Sequence, residues 1–166
     1  DTPVLRGKKV AVIGGGNTAI DCARTARRLG AKDITIIYRR SRAEMPALAE
    51  DVEGMEREGI KIELLAAPKR LLSENGKLSG IECVRMKLGE PDASGRPRPL
   101  PIEGSEFLVP IDSLIAAIGQ APETDLAYEP ELSWTTQGMI DITRMGVTTM
   151  DGVFAGGDSA GTKAYV

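Results

Sequence analysis

The chain has 166 residues, of which 42% are hydrophobic and 27% are charged, as expected for one soluble globular domain or for one domain with part of another. Its net charge of −3 disfavours nucleic acid as the main partner, because binding to phosphates favours a basic surface. The sequence has no histidine and only two cysteines, without a metal-binding spacing, so His-based acid–base catalysis and a Cys/His metal site are excluded.

The hydrophobic pattern predicts no membrane partner. No apolar run reaches the length of about 18 residues that a transmembrane helix needs, and no signal peptide is recognised. The scarcity of cysteine fits a reducing compartment, so we expect a cytoplasmic protein.

Strands and helices alternate in the first part of the chain. Short apolar runs at 9–13, 34–38 and 61–65 predict buried strands of the parallel type. Helices are predicted between them, over about 18–29 and from Pro46 up to Gly59. The resulting β-α-β-α-β order is that of one half of a doubly wound α/β domain.

The second predicted helix follows a loop after the second strand. Pro46 is expected in its first turn, where a proline is tolerated. Leu48, Val52 and Met55 are expected to form its apolar stripe.

An antiparallel pattern comes next. Residues 70–72 and 80–86, joined by an Asn75-Gly76 turn, predict a hairpin. Residues 90–101 are rich in proline and glycine and predict a loop, after which 106–109 returns as a third strand. We therefore predict a three-stranded meander.

The last part of the chain has weaker signals. Residues 113–118 predict another buried strand, which ends at Gly119. Beyond it, 139–142 and 152–155 are short strand candidates around turns.

A glycine-rich turn joins the first predicted strand to the first predicted helix. Its residues are Gly14, Gly15, Gly16, Asn17, Thr18 and Ala19. In this G-x-G-x-x-A pattern Gly14 supplies the tight bend, Gly16 lets phosphate approach the backbone, and Ala19 lets the helix lie close to the strand. Unpaired N–H groups at the helix start then face a pyrophosphate. A plain strand-to-helix turn is the alternative, but the position between strand and helix favours a dinucleotide site.

The end of the second predicted strand indicates which dinucleotide binds. NAD-binding turns usually carry an acidic residue there, whereas this chain has Arg39 and Arg40, followed by Arg42. Guanidinium groups match the charge and geometry of a 2′-phosphate. We therefore predict that these arginines bind NADP(H); a solvated basic corner is the alternative.

Several separate segments of the sequence resemble one family. They are residues 12–21, 38–40, 44–47 and 89–96. Together they are similar to the small (beta) subunit of NADPH-dependent glutamate synthase, and to the same degree to related flavin/NADPH modules, including the large subunit of the NADH-dependent ferredoxin:NADP oxidoreductase. The resemblance covers essentially the whole chain. It implies an α/β fold, namely a Rossmann-like three-layer NAD(P)-binding domain with a parallel sheet and a three-stranded antiparallel meander.

The resemblance also implies FAD in the full-length protein. Ala117, Ile118 and Gly119 resemble the A-x-G segment that leads the chain back from the NADP domain of two-dinucleotide flavoproteins. Gly157 and Asp158 resemble the end of a terminal FAD motif, in which the aspartate holds the ribityl or pyrophosphate part of FAD.

The implied domain division is an NADP(H)-binding Rossmann domain over 1–120 and part of an FAD-binding domain over 121–166. The first FAD glycine motif and the N-terminal cysteine clusters of the glutamate synthase subunit are not found in this sequence. We therefore expect an excised NADP domain, which binds NADP(H) without holding FAD and is inactive in isolation.

The function that the resemblance implies is transfer of hydride from NADPH to FAD and onward to iron–sulfur centres, with a glutamate synthase large subunit or a ferredoxin-type protein as partner. Because the cofactors carry this chemistry, no catalytic residue is expected, and Cys22 is expected to pack on an apolar helix face. A non-catalytic NADP-sensing regulatory module is the alternative. A self-contained dehydrogenase is disfavoured, because histidine and a Tyr-x-x-x-Lys motif are missing. The sequence leaves open the final electron acceptor, the family member and the oligomeric state.

Overall fold

The structure, a computed structural model, describes residues 8–92, 95–120, 132–136 and 138–160. The chain divides into two compact units, residues 1–119 and 120–166. The helices and strands of the first unit are, in chain order, β1 (Lys9–Ile13), α1 (Asn17–Arg28), β2 (Asp33–Tyr38), α2 (Ala49–Arg57), β3 (Lys61–Leu64), β4 (Ala66–Glu74), β5 (Lys77–Pro91), β6 (Pro97–Val109) and β7 (Ser113–Ala116).

Four of the strands form a parallel sheet in the order β3-β2-β1-β7. In the register of this sheet Val12 lies between Ile36 of β2 and Ile115 of β7. The chain proceeds from β1 to β2 and β3 on one side, and β7 joins on the other side. The carboxyl end of β1 therefore lies where the strand order reverses, which is the usual ligand position in open α/β sheets.

Alternate residues of the parallel strands face two different cores, one on each side of the sheet. The core beneath the helices contains Val10, Val12, Ala19, Ile20, Ala23, Ala26, Ala31, Ile34, Ile36, Val52, Met55 and Ile60. The core beneath the antiparallel strands contains Ala11, Ile37, Ala66, Ile81, Cys83 and Ile111. Helices, parallel sheet and the meander β4-β5-β6 therefore form three layers, which confirms the predicted fold class.

Helix α2 begins later than predicted. It starts at Ala49, so Pro46 precedes it, and Leu48 is the N-cap residue with 54% of its surface exposed. The predictions that Pro46 opens this helix and that Leu48 belongs to its apolar stripe are wrong, whereas the burial of Val52 and Met55 is confirmed.

The backbone of Leu48 is extended, with φ −64° and ψ 135°, so α2 cannot include the residues before Ala49. The Ala47 N–H donates to the Gly15 carbonyl oxygen at 3.3 Å, and the Leu48 N–H donates to Asn17 Oδ1 at 3.0 Å. Residues Arg42–Glu44 form a separate 3₁₀ helix instead. The hydrogen bonds anchor residues 47 and 48 to the glycine turn, and the extended backbone of Leu48 sets the start of α2.

The predicted loop at 90–101 is also largely wrong. Strand β5 continues to Pro91 and β6 begins at Pro97, so the two strands form one long hairpin. Pro97, Pro99 and Pro101 occupy alternate positions of β6, which is an edge strand of the meander. The N–H groups that these prolines lack would all lie on one side of the strand. An edge strand tolerates their absence when that side faces away from its neighbouring strand.

The second unit has little regular structure in its described residues. The strand candidates 139–142 and 152–155 contribute only isolated bridges, which join Trp134 to Ile140, Ile140 to Ala160 and Val147 to Phe154. Gly157–Ser159 form a 3₁₀ helix. Across the described part of the chain, no helix is long and apolar enough to cross a membrane.

Candidate nucleotide-binding site

The glycine turn leaves β1 at the carboxyl edge of the parallel sheet. Gly14 has a φ of +145°, and its N–H donates to the Ile37 carbonyl oxygen at 3.1 Å. A Cβ atom on Gly14 would lie 2.2 Å from the carbonyl oxygen of Ala117, just after β7. Only glycine therefore fits at this position.

The other small residues of the turn differ in their surroundings. A Cβ atom on Gly15 would lie 2.5 Å from the ring of Tyr38, whereas one on Gly16 would meet only Pro46 Cγ, at 3.8 Å. Ala19 is fully buried where α1 meets the sheet. Gly15 is thus needed for packing within the protein, while Gly16 faces open space.

The start of α1 offers unpaired backbone donors. Gly16 is the N-cap residue, and no side chain caps the helix. The carbonyl oxygen of Gly16 accepts from Ala19 and Ile20, but the N–H groups of Gly16, Asn17 and Thr18 donate no hydrogen bond to any described residue. These donors, together with the positive end of the helix dipole, fit a phosphate group.

The structure separates the arginines that the sequence grouped together. Arg39 is exposed and forms no side-chain hydrogen bond or ion pair with the described residues. Arg40 is 4% exposed; its Nη2 lies 2.9 Å from Asp92 Oδ2, and its Nε donates to the Pro97 carbonyl oxygen. Of these two arginines, Arg39 is therefore the one that could bind a ligand without first releasing a partner within the described part of the chain.

Arg42 binds a carboxylate of helix α2. Its two terminal nitrogens donate to the two carboxylate oxygens of Glu56, at 2.6 and 2.8 Å. Hydrogen bonding to Arg42 lowers the pKa of Glu56, so this carboxylate stays ionised. Both side chains are about half exposed, so a phosphate could reach Arg42 only in competition with Glu56.

Arg96 lies next to the site although the sequence indicated only a loop there. Its Nη2 donates to Tyr38 Oη at 2.9 Å and to the Glu44 carbonyl oxygen at 2.7 Å. Tyr38 Oη also donates to the Glu44 carbonyl oxygen. No local pattern could have indicated these contacts, because 58 positions separate Arg96 from Tyr38.

The residues after β7 lie against the glycine turn. The Ala117 N–H donates to the Ile13 carbonyl oxygen at 2.8 Å. Ile118 is 75% exposed, and Gly119 has a φ of +97°. The structure therefore brings Ala117 to the turn and leaves the Ile118 side chain in solvent.

The candidate FAD residues belong to the second unit. Gly157 has a φ of +70° and begins a 3₁₀ helix, in which Asp158 occupies the first turn and is exposed. The Ser159 hydroxyl donates to the Gly156 carbonyl oxygen. This tight turn presents the Asp158 carboxylate to solvent.

The two cysteines do not form a redox pair. Cys22 packs against the core beneath the helices and Cys83 lies in the core beneath the meander, so they are on opposite faces of the parallel sheet. Both are free thiols, and burial raises the pKa of Cys83 to about 11. The described residues also contain no group of three or more His, Cys, Asp or Glu side chains that could hold a metal ion.

The known proteins similar to this chain include the glutamate synthase small chains that the sequence segments indicated. The chain is 51% identical to the NADP(+)-dependent formate dehydrogenase subunit beta of Moorella thermoacetica, over 94% of this chain and 22% of that subunit. It is 47% identical to the NADPH-Fe(3+) oxidoreductase subunit beta of Geobacter sulfurreducens, over 95% of this chain and 27% of that subunit. It is 46% identical to the glutamate synthase [NADPH] small chain of Azospirillum brasilense, over 92% of this chain and 32% of that small chain. The chain thus spans a third or less of the length of these relatives.

Solved structures agree with the observed fold. Thioredoxin reductase of T. acidophilum superposes with a TM-score of 0.76 at 21% identity, over 95% of this chain and 46% of that chain. At this identity the likeness shows the fold alone. The family of pyridine nucleotide-disulphide oxidoreductases matches residues 2–165, and the glutamate synthase small-chain relatives confirm the resemblance predicted from the sequence. The chain belongs to the pyridine nucleotide-disulphide oxidoreductase family.

Proposed function

We propose that this chain is the NADP(H)-binding part of a flavoprotein oxidoreductase similar to the glutamate synthase small subunit. The observation that carries the proposal is the open start of helix α1 at Gly16, which lies beside the end of β2. The residue that follows β2 is the exposed Arg39 instead of an acidic residue. Relatives whose names include NADP or NADPH support the same cofactor.

The residues of the turn fit the phosphates of a dinucleotide. The free N–H groups of Gly16, Asn17 and Thr18 bind the pyrophosphate, because they are donors without a protein partner in the described part of the chain. Arg39 binds the 2′-phosphate, since its guanidinium is exposed and has no hydrogen-bond or ion-pair partner among the described residues. Arg40 belongs to the same basic corner but is bound to Asp92.

The second unit belongs, in this proposal, to the FAD-binding domain. Residues 1–120 form the NADP(H) domain and 121–166 part of the FAD domain, with Ala117–Gly119 as the return segment. The exposed Asp158, in the tight turn that follows Gly157, fits a hydrogen-bond acceptor for FAD hydroxyl groups. The chemistry that the bound cofactors supply is hydride transfer from NADPH to FAD, followed by electron transfer to iron–sulfur centres. This chain contributes binding and orientation, and none of its side chains acts as acid, base or nucleophile.

The proposed partners are a glutamate synthase-type large subunit or a ferredoxin-type protein, which receives the electrons. We place the protein in the cytoplasm, because both cysteines are free thiols. The regulatory alternative is distinguished by activity: an NADP-sensing module would bind NADPH but, in the full-length protein, would not oxidise it with an added electron acceptor.

Arg39→Gln tests the proposed function. We expect NADPH affinity to fall about 10- to 100-fold, because a hydrogen bond to a charged group contributes roughly 1.5–3 kcal/mol. NADH lacks the 2′-phosphate, so its affinity should change little. Isothermal titration calorimetry with both nucleotides measures this, and Arg98→Gln is the control, because Arg98 is exposed and has no side-chain partner among the described residues. Equal losses for NADPH and NADH would contradict the assignment.

A further inference from the structure

We propose that the tip of the β5–β6 hairpin, defined here as Asp92 and residues 95–97, is a positioning element for NADP(H) selectivity. In this inference Asp92 and Arg96 act through the end of β2, where they fix the backbone on both sides of Arg39. The inference rests on the proposed function, in which Arg39 binds the 2′-phosphate.

The first contact of the hairpin tip is with Arg40. The Arg40 side chain is 5% exposed and lies 2.9 Å from the Asp92 carboxylate, while its Nε donates to the Pro97 carbonyl oxygen at 2.8 Å. A buried guanidinium is stable only when its charge and its donors are satisfied. The tip therefore accounts for the inward position of Arg40, which in turn fixes the residue after Arg39.

The second contact of the hairpin tip is with Tyr38, the residue before Arg39. Arg96 Nη2 donates to Tyr38 Oη and to the Glu44 carbonyl oxygen. The Tyr38 ring packs directly against Gly15, where a Cβ atom would lie only 2.5 Å from it. Arg96 thus connects the hairpin tip to the glycine turn as well as to the end of β2.

The two contacts are joined within the tip itself. The Asp92 N–H donates to the Arg96 carbonyl oxygen at 2.8 Å, and the Gly95 N–H donates to the Asp92 carbonyl oxygen at 2.8 Å. Asp92 Oδ1 also accepts from the Arg96 N–H, at 3.4 Å. Tyr38 and Arg40 are therefore held by one closed turn, and Arg39 between them keeps an exposed side chain on a fixed backbone.

This arrangement lowers the cost of binding a 2′-phosphate. A side chain on a preorganised backbone loses less conformational freedom when a ligand binds. Asp92 of the hairpin tip is 52 positions from Arg40 in the sequence. In this inference the tip nevertheless holds the Arg39 backbone in the position from which its side chain reaches the 2′-phosphate. Loss of the tip contacts should therefore affect ligands with a 2′-phosphate and spare those without one.

The test compares 2′,5′-ADP with AMP, which differs from it only in lacking the 2′-phosphate, by calorimetry on the 166-residue chain. Asp92→Asn and Arg96→Gln each remove one contact, with Glu103→Gln and Arg98→Gln as controls on exposed residues of the same hairpin. We expect the affinity for 2′,5′-ADP to fall by about fivefold or more in the two tip variants, and the affinity for AMP to change by less than about twofold. The controls should match the wild-type chain.

Two further variants separate positioning from simple stabilisation. Asp92→Asn in an Arg39→Gln background should cause no further loss for 2′,5′-ADP, because the tip acts through Arg39. Arg96→Lys retains the positive charge and has three N–H donors, so it should restore most of the 2′,5′-ADP affinity even if Arg96→Gln folds poorly.

Three results would overturn the inference. One is that Asp92→Asn and Arg96→Gln behave like the controls, and another is that they weaken binding of 2′,5′-ADP and AMP equally. The third is a wild-type chain with no preference for 2′,5′-ADP over AMP, and in that case the proposed NADP(H) function is itself wrong.

Discussion

Replacement of Gly16 by alanine separates nucleotide binding from folding. Gly16 has φ −92° and ψ 176°, which alanine adopts freely, and its Cβ would contact only Pro46 Cγ at 3.8 Å. We expect Gly16→Ala to change the free energy of unfolding by about 1 kcal/mol or less, mainly because alanine is a poorer N-cap residue than glycine. The new methyl group would nevertheless occupy the space through which a pyrophosphate approaches the helix start.

The expected loss of NADPH affinity in Gly16→Ala is about tenfold or more, equivalent to roughly 1.4 kcal/mol. NADH should lose affinity by a similar factor, because the pyrophosphate is common to both nucleotides. Gly14→Ala is the matched comparison: its Cβ would lie 2.2 Å from the Ala117 carbonyl oxygen at a φ of +145°. That overlap and the backbone strain together should cost about 3 kcal/mol or more in unfolding free energy.

Urea unfolding and calorimetric titration of both variants form the assay. The reasoning requires a folded Gly16→Ala chain with weak nucleotide binding and a strongly destabilised Gly14→Ala chain. A Gly16→Ala chain that keeps full affinity for both nucleotides would refute the placement of the pyrophosphate at the start of α1.

Two further predictions concern the cores. Burial raises the pKa of Cys83 to about 11, above its unfolded value, so the stability that the neutral thiol contributes is present below about pH 8.5 and is lost as the pH rises towards 11. Urea unfolding at about pH 8 and about pH 10.5 should show that the free energy of unfolding declines less in Cys83→Ala than in the wild-type chain, by about 2 kcal/mol. An identical decline in the two chains would contradict this prediction. Met55→Ala should lower the free energy of unfolding by about 2–5 kcal/mol, because Met55 is fully buried on the inner face of α2. Leu48→Ala, at the exposed N-cap, should cost about 0.5 kcal/mol or less. If thermal melts showed a larger loss of stability for Leu48→Ala than for Met55→Ala, the position of Leu48 outside the apolar stripe of α2 would be wrong.

Local patterns predicted the elements that determine the position of the candidate site. The apolar run at 9–13 matches β1 residue for residue, and the run at 34–38 lies within β2. Such runs are informative because both faces of a parallel sheet are covered, so nearly every residue must be apolar. Gly14 was also identified correctly as the tight bend, since its φ is positive and its Cβ position is filled.

Contacts between distant segments could not be predicted in this way. Arg40 looks like an exposed partner of Arg39 in the sequence, but Asp92 and Pro97 draw it into the protein. The start of α2 at Ala49 could not be predicted either, because it follows from the extended backbone of Leu48, which lies against Asn17 of the glycine turn in the folded chain. The candidate site therefore has a local part that the sequence indicates and a long-range part that only the fold shows.

The relative affinity of the unaltered chain for NADPH and NADH tests the central claim most directly. The two nucleotides differ only in the 2′-phosphate, and the exposed Arg39, which follows β2 where NAD-binding turns usually carry an acidic residue, should recognise that group. Calorimetric titration should give an affinity for NADPH at least about tenfold higher than that for NADH. Equal affinities, or tighter binding of NADH, would contradict the assignment of this chain as an NADP(H)-binding domain.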